Sequence, residues 1–316
     1  MEISRPKTQS QSFSRQKTIQ TALGVTEHAT VLARALLSSA IPNGLCHEQA
    51  ADLRLVLGLG RQPSINSFAS NTATRAQLVP AFIEIVMRTW SHLFERQMQF
   101  LTITPGDWHV DEKHPVLRIK AWRDEAWRWF NNLGFTGISI LEFAPYLSHP
   151  SAGSGRVISP HIHALGYAAD ETTYLEKVKK FNERFSSRNA IGAFAVNRLV
   201  GHTEGDVAMV ARYLIDQIRD AKRPSPSRDM PGEYKHRKAA LPFHLALRCA
   251  EISSYLKVSD LIVVHGGVAK QWRRELIGSL RAAFTDALLT NDDLDRLWTA
   301  VWRAKGGRSY DRVVTL

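Results

Sequence analysis

Chemistry in this chain centres on a tripeptide, His161-Ile162-His163, set in Ser159-Pro-His-Ile-His-Ala-Leu-Gly166. In an extended strand, residues two apart point to the same face, so the two imidazoles stand side by side while Ile162 turns to the core. Side-by-side imidazoles form a pincer for a divalent metal. The chain has 12 histidines, so the spacing alone is weak evidence and its context has to carry the reading. That context is Glu142, in Ile138-Ser-Ile-Leu-Glu142, a neighbouring strand candidate. Between Leu141 and Phe143 an isolated carboxylate is expensive without a partner. Two nitrogens and one carboxylate leave open positions on an octahedral Mg²⁺ or Mn²⁺, which would polarise a substrate phosphate.

A nucleophile candidate follows in Val210-Ala-Arg-Tyr213-Leu-Ile-Asp216-Gln217. Val207, Val210, Leu214 and Ile218 mark the buried stripe of an amphipathic helix, and Tyr213 falls at its edge, able to look outward over a site. An edge tyrosine equally serves plain packing. Tyr234, in the basic run Glu233-Tyr-Lys-His-Arg237, is the reserve candidate.

The elements that must position these groups are legible from periodicity. Helical spacing runs from about Thr18 to Leu59, and a second, longer helix-like segment from Thr74 to Gln99 follows a Ser/Asn-rich break. Phe100-Leu-Thr-Ile-Thr104 alternates apolar residues with threonine and stops at Pro105-Gly106, as a strand and turn do. A tryptophan-rich helix is expected over Val116–Leu133, with Gly134 as its C-terminal stop. Strands are expected at Gly137–Phe143, Val157–Tyr167 and Ala193–Leu199, and helices at Asp170–Ser186 and Gly205–Arg219. The alternation of strands and helices indicates an α+β or α/β sheet domain, flanked by helical N- and C-terminal regions. Its expected divisions are a flexible basic tail over 1–17, a helical N-terminal region over 18–75, a catalytic domain over 76–222, a basic linker over 223–241 and a helical C-terminal region over 242–316. The linker reading, with a DNA-facing loop as its alternative, rests on Arg219–Lys238, which has seven basic residues, three acidic ones and three prolines. A short strand at Leu261–Val264 interrupts the last region.

Composition narrows the classes. The 316 residues are 44% apolar and 22% charged, which suits a globular chain with a real core. No run approaches the ~20 apolar residues of a membrane span, and the N-terminus lacks the apolar core of a signal peptide, so a cytoplasmic location is expected. Cys46 and Cys249 form no CxxC pair and are expected to be reduced core residues. The formal charge of +11 favours a polyanionic partner, most simply nucleic acid.

The order of these pieces resembles the HUH endonucleases, in particular the rolling-circle replication initiators of plasmids and phages. The resemblance covers about Phe100 to Asp220. Phe100–Thr104 is similar to the family's first strand motif, His161 and His163 to its metal-binding histidines, Glu142 to its further acidic ligand and Tyr213 to its nucleophile. It implies an α+β fold with a central antiparallel sheet, and a site-specific, Mg²⁺- or Mn²⁺-dependent nickase and strand transferase acting through a phosphotyrosine. Its expected partners are single-stranded DNA at a replication origin and the host helicase and polymerase. Members commonly carry a lysine three or four residues after the tyrosine, where this chain has Asp216 and Gln217; Arg212, Arg219 and Lys222 are the candidate substitutes. With Arg223 and Trp108, the latter a candidate for base stacking, these residues form the expected DNA-binding set.

Other classes fit parts of the same pattern. A single-tyrosine transposase or relaxase would share the chemistry. A non-catalytic basic DNA-binding protein would leave the histidines idle, and a metal-dependent hydrolase would cleave nucleotides without a covalent intermediate. A two-histidine phosphoesterase needs a pair of H-x-[ST] motifs, and His28-Ala-Thr30 supplies only a weak one.

Overall fold

The computed structural model describes residues 38, 45–57, 69–70, 81–86, 88, 97–150, 155–188, 193–200, 203–215, 220–226, 234–279, 289–306 and 311–316. The expected tail over 1–17 and the His28-Ala-Thr30 motif lie outside them. At the centre two long strands, β4 (Phe135–His149) and β5 (Gly155–Ala168), pair antiparallel along most of their length. Both are buried almost throughout, which is why their sequences read as near-continuous apolar runs rather than clean alternation. β1 (Gln99–Ile103) lies antiparallel on the far side of β5, and β6 (Ala195–Leu199) lies antiparallel beyond it.

The other side of β4 is shared by two strands. Its first half pairs antiparallel with β9 (Ile262–His265), and its second half meets β7 (Asp220–Pro226) in parallel at Tyr146 and Lys222. β8 (Tyr234–Ala240) closes a hairpin with β7, and β2 (Val110–Asp111) adds to β5. The fold is therefore α+β with a mixed eight-stranded sheet among the described residues. The expected antiparallel pairing holds except at one place, the parallel β4–β7 contact.

Side-chain parity divides the sheet into two faces. On one, Phe135, Gly137, Ser139 and Leu141 of β4 meet α2 (Ile119–Leu133) and α3 (Glu171–Phe185). Phe130 of α2 stacks on His265 and packs beside Phe135, and Trp129 of α2 contacts Phe181 of α3. Gly137 and Gly166 oppose each other beneath the Phe135 ring: a Cβ on either would meet that ring at 2.8 Å and a strand carbonyl closer still. On the other face, Ile140, Glu142 and Tyr146 of β4 alternate with these, and α4 (Glu204–Ile215) lies across it, burying Val207, Ala211 and Leu214.

α2 ends on Gly134, whose φ of 71° only glycine adopts without strain, as its sequence position predicts. It starts at Ile119 rather than Val116, because Val116–Leu117 is taken as strand β3 by β10 (Val314–Thr315). In the second half of the chain, Leu245, Cys249 and Ile252 of α5 (Phe243–Ser254), the ends of the short α6 (Val258–Leu261), and Trp272 and Leu276 of α7 (Gly267–Ser279) belong to the same core as the sheet. A smaller core joins α1 (His47–Leu57) to α8 (Asn291–Ala304) through Leu53, Val56, Leu297, Trp298 and Val301.

Two expectations fail here for tertiary reasons. The segment 223–241 is not a linker: its described residues complete β7 and form β8. Pro224 and Pro226 sit in β7, which meets β4 at a single residue pair, so a missing N–H costs little on that side, and Arg223, Arg237 and Lys238 face solvent. Cys46 is exposed rather than buried, whereas Cys249 is a core thiol whose pKa burial pushes up to about 12.

Candidate metal centre

The β4–β5 register sets Glu142 directly opposite His161, and Ile140 opposite His163. Thr102 of β1 faces His163 from the other side. The carboxylate oxygen Oε2 of Glu142 lies 3.8 Å from His161 Nε2 and 3.6 Å from His163 Nε2, and the two Nε2 atoms are 3.0 Å apart. All three donor atoms thus fall within 4.8 Å of one another. Both histidines are buried and Glu142 is nearly so.

The outer nitrogens fix the rings. His161 Nδ1 is 3.2 Å from the Ser159 carbonyl, which can only accept, so Nδ1 carries the proton and Nε2 presents its lone pair inward. His163 Nδ1 is 2.9 Å from Thr102 Oγ1. A hydroxyl either donates or accepts, so Thr102 supports both tautomers of His163. With no cation, His163 donates from Nε2 to His161 and accepts from Thr102 at Nδ1. When both Nε2 atoms are to be ligands, the His163 proton moves to Nδ1 and Thr102 accepts it.

Electrostatics keep both rings neutral at pH 7. Burial pushes the His161 pKa down to about 3, helped by the Lys222 ammonium and opposed by the Ser159 carbonyl. Burial likewise holds His163 well below the ordinary imidazole value, with His161, Lys222 and Arg198 acting in the same direction. Neutral imidazole is the ligand form, so a proton does not compete for these lone pairs near neutrality. Two imidazole nitrogens and a carboxylate oxygen converging in a buried patch are a donor set that could hold a divalent cation.

The helix α4 brings Tyr213 to the same place. Its ring lies 5.0 Å from the His163 ring in an edge-on arrangement and 5.8 Å from Phe100, which itself stacks on His163 at 5.3 Å. Tyr213 is 52% exposed, so it has both a fixed base and an open side.

Lys222 of β7 also borders the site. Its ammonium sits 5.7 Å over the Tyr146 ring, and Glu142 holds its pKa up against the larger lowering by burial. Of the other expected DNA contacts, Arg223 is exposed on the neighbouring β7 position, Arg212 is on α4 with its side chain outside the described set, and Arg219 lies outside the described residues. Tyr234 packs against Ala144, Tyr146 and Val157.

Trp108 is a correction. Rather than an exposed stacking platform, it is 3% exposed, lies between Trp122 and Trp129 at 5.6 and 5.3 Å, and donates its indole N–H to Glu125. The chain just past β1 turns back over α2, and three indoles packed together bury far more apolar area than one left in water.

Sequence reasoning missed Thr102, Tyr146 and Arg198. Thr102 was visible as the polar position of β1, and Tyr146 shares strand parity with Glu142. Arg198 had no signal, since only the β1–β6 register places it opposite Phe100. Comparison with family models, curated proteins and solved structures gives no match for this chain.

Proposed function

We propose that this chain is a divalent-metal-dependent nickase and strand transferase for single-stranded DNA, acting through a phosphotyrosine at Tyr213 to initiate rolling-circle replication. The observation that supports this reading best is the placement of a half-exposed tyrosine ring against His163, on the sheet face that gathers Glu142, His161 and His163. A non-catalytic histidine pair has no need of a carboxylate 3.8 and 3.6 Å from its two Nε2 atoms and an outward-facing phenol with its ring 5.0 Å from the His163 ring.

His161, His163 and Glu142 would hold Mn²⁺ or Mg²⁺, which when bound withdraws charge from the non-bridging oxygens of the scissile phosphate. Tyr213 then attacks phosphorus. A bond forms from its phenolic oxygen to phosphorus as the phenolic proton passes to solvent, the bond to the 3′ oxygen breaks, and the departing oxygen takes a proton from solvent to become a 3′-hydroxyl. Because the phosphotyrosine conserves the phosphodiester's energy, a later 3′-hydroxyl can reverse the step and reseal a strand. Lys222 and Arg198 place positive charge beside the triad, where the phosphate's own charge has to be met. Lys222 thereby fills from β7 the role that the resemblance assigns to a lysine after the tyrosine.

The test uses a pool of random-sequence single-stranded oligonucleotides with Mn²⁺, then Mg²⁺. The expected result is a protein–DNA adduct that survives SDS and is absent from Tyr213→Phe. Free cleaved ends without an adduct would indicate a hydrolase, a gel shift without cleavage a binding protein, and an adduct persisting in Tyr213→Phe another nucleophile. Transposase and relaxase variants share the adduct and separate by the DNA they select.

A further inference from the structure

A groove with a volume of about 730 Å³ lies between α2 and α7 along the outer edge of β9, away from the triad. Its floor includes Ile262, Val263 and Val264, and its walls carry Lys120 and Arg123 of α2 and Lys270 and Arg273 of α7. Trp127 of α2 stands at its margin. α2 covers the sheet face opposite Glu142, as the Phe130–His265 stack and the strand parity show. Anything held here is therefore not held by the metal centre.

We infer that this groove binds a single strand of nucleic acid, with phosphates on the α7 cations and a base on Trp127. Three observations carry the choice of occupant. First, Trp127 is 53% exposed, while every other described tryptophan is buried. A large indole left in water beside cations is the element on which an unpaired base stacks. Second, the two acidic side chains in the groove are already met: Asp124 by Lys120 at 4.0 Å and Asp260 by Arg123 at 3.7 Å. Lys270 and Arg273 have no carboxylate partner among the described residues, so the groove keeps a positive surplus. Third, the whole chain carries +11, which favours polyanions over neutral peptides. The competing occupant is a polypeptide adding to the β9 edge, since β9 pairs only with β4 among the described residues. It would use the backbone edge but leave the cations and the indole without a task.

The experiment is run on the full chain in EDTA, where no cleavage occurs, with a short single-stranded oligonucleotide carrying 5-iodouracil. Ultraviolet cross-linking followed by peptide mass spectrometry should place a cross-link at Trp127. Lys270→Glu combined with Arg273→Glu should abolish that cross-link and weaken binding by roughly tenfold or more at low salt, with a smaller salt dependence. Trp127→Ala should weaken it severalfold. These side chains are exposed or half-exposed, and matching thermal melts confirm that the variants fold. The Tyr213 adduct at saturating DNA should persist in all three, so this inference and the proposed chemistry fail independently. Cross-links confined to other residues, or affinity within twofold of the parent in the double charge reversal, would overturn it.

Discussion

Replacing Thr102 by valine removes one hydroxyl and keeps the side chain's volume, which isolates the bond that orients a proposed metal ligand. Thr102 Oγ1 is 2.9 Å from His163 Nδ1, and the ring is buried between Phe100 and Tyr213. In Thr102→Val that nitrogen has no replacement in the strand register, whichever tautomer is present. Leaving a buried ring nitrogen unsatisfied costs about 1–3 kcal/mol of folding stability. The cation-bound form suffers more specifically, because it needs His163 protonated on Nδ1, where valine offers no acceptor. Partners that fix a ligating histidine are typically worth 10- to 100-fold in metal affinity, or about 1.4–2.8 kcal/mol. Calorimetric titration of Mn²⁺ into the metal-free chain should show that loss in Thr102→Val and its recovery in Thr102→Ser, which restores the hydroxyl. Should Thr102→Val bind Mn²⁺ within twofold of the parent while melting at a lower temperature, the hydroxyl is structural and the tautomer argument is wrong.

Acid should destabilise the metal-free fold through histidines buried in neutral form. His265, which shares a 2.8 Å hydrogen bond with Ser139, has its pKa pushed by burial from the ordinary 6.5 down to about 3. The unfolded chain takes up this proton and the folded chain does not. The contribution is therefore complete above pH 6.5 and falls by about 1.4 kcal/mol per pH unit as pH drops toward 3. His161 and His163 act with the same sign, so melting temperatures measured from pH 7.5 to 4.5 should fall steeply, and a flat profile would contradict the burial assigned to them. Gly137→Ala places a Cβ 2.3 Å from the Leu165 carbonyl and should cost about 2–3 kcal/mol or more in chemical denaturation. Gly267→Ala, with nothing within 4 Å, should be near neutral; equal effects would refute the close β4–β5 approach.

The sequence by itself determined whatever depends on local period and on residue type. Strand parity put His161 and His163 on one face, the stop of α2 fell at Gly134, and the amphipathic stripe of α4 left Tyr213 at its edge. Those features need only the geometry of a strand or a helix, which neighbouring residues dictate. Tertiary structure alone decided what those elements meet. The β4–β5 register sets Glu142 opposite His161, and a one-residue slip would have turned the carboxylate to the other face. The burial of Trp108 among Trp122 and Trp129, the conversion of a proline-bearing basic segment into β7 and β8, and the arrival of Lys222 and Arg198 beside the histidines all rest on contacts between distant segments. No periodicity encodes such contacts, because they come from the pairing of strands and the stacking of rings that lie tens of residues apart.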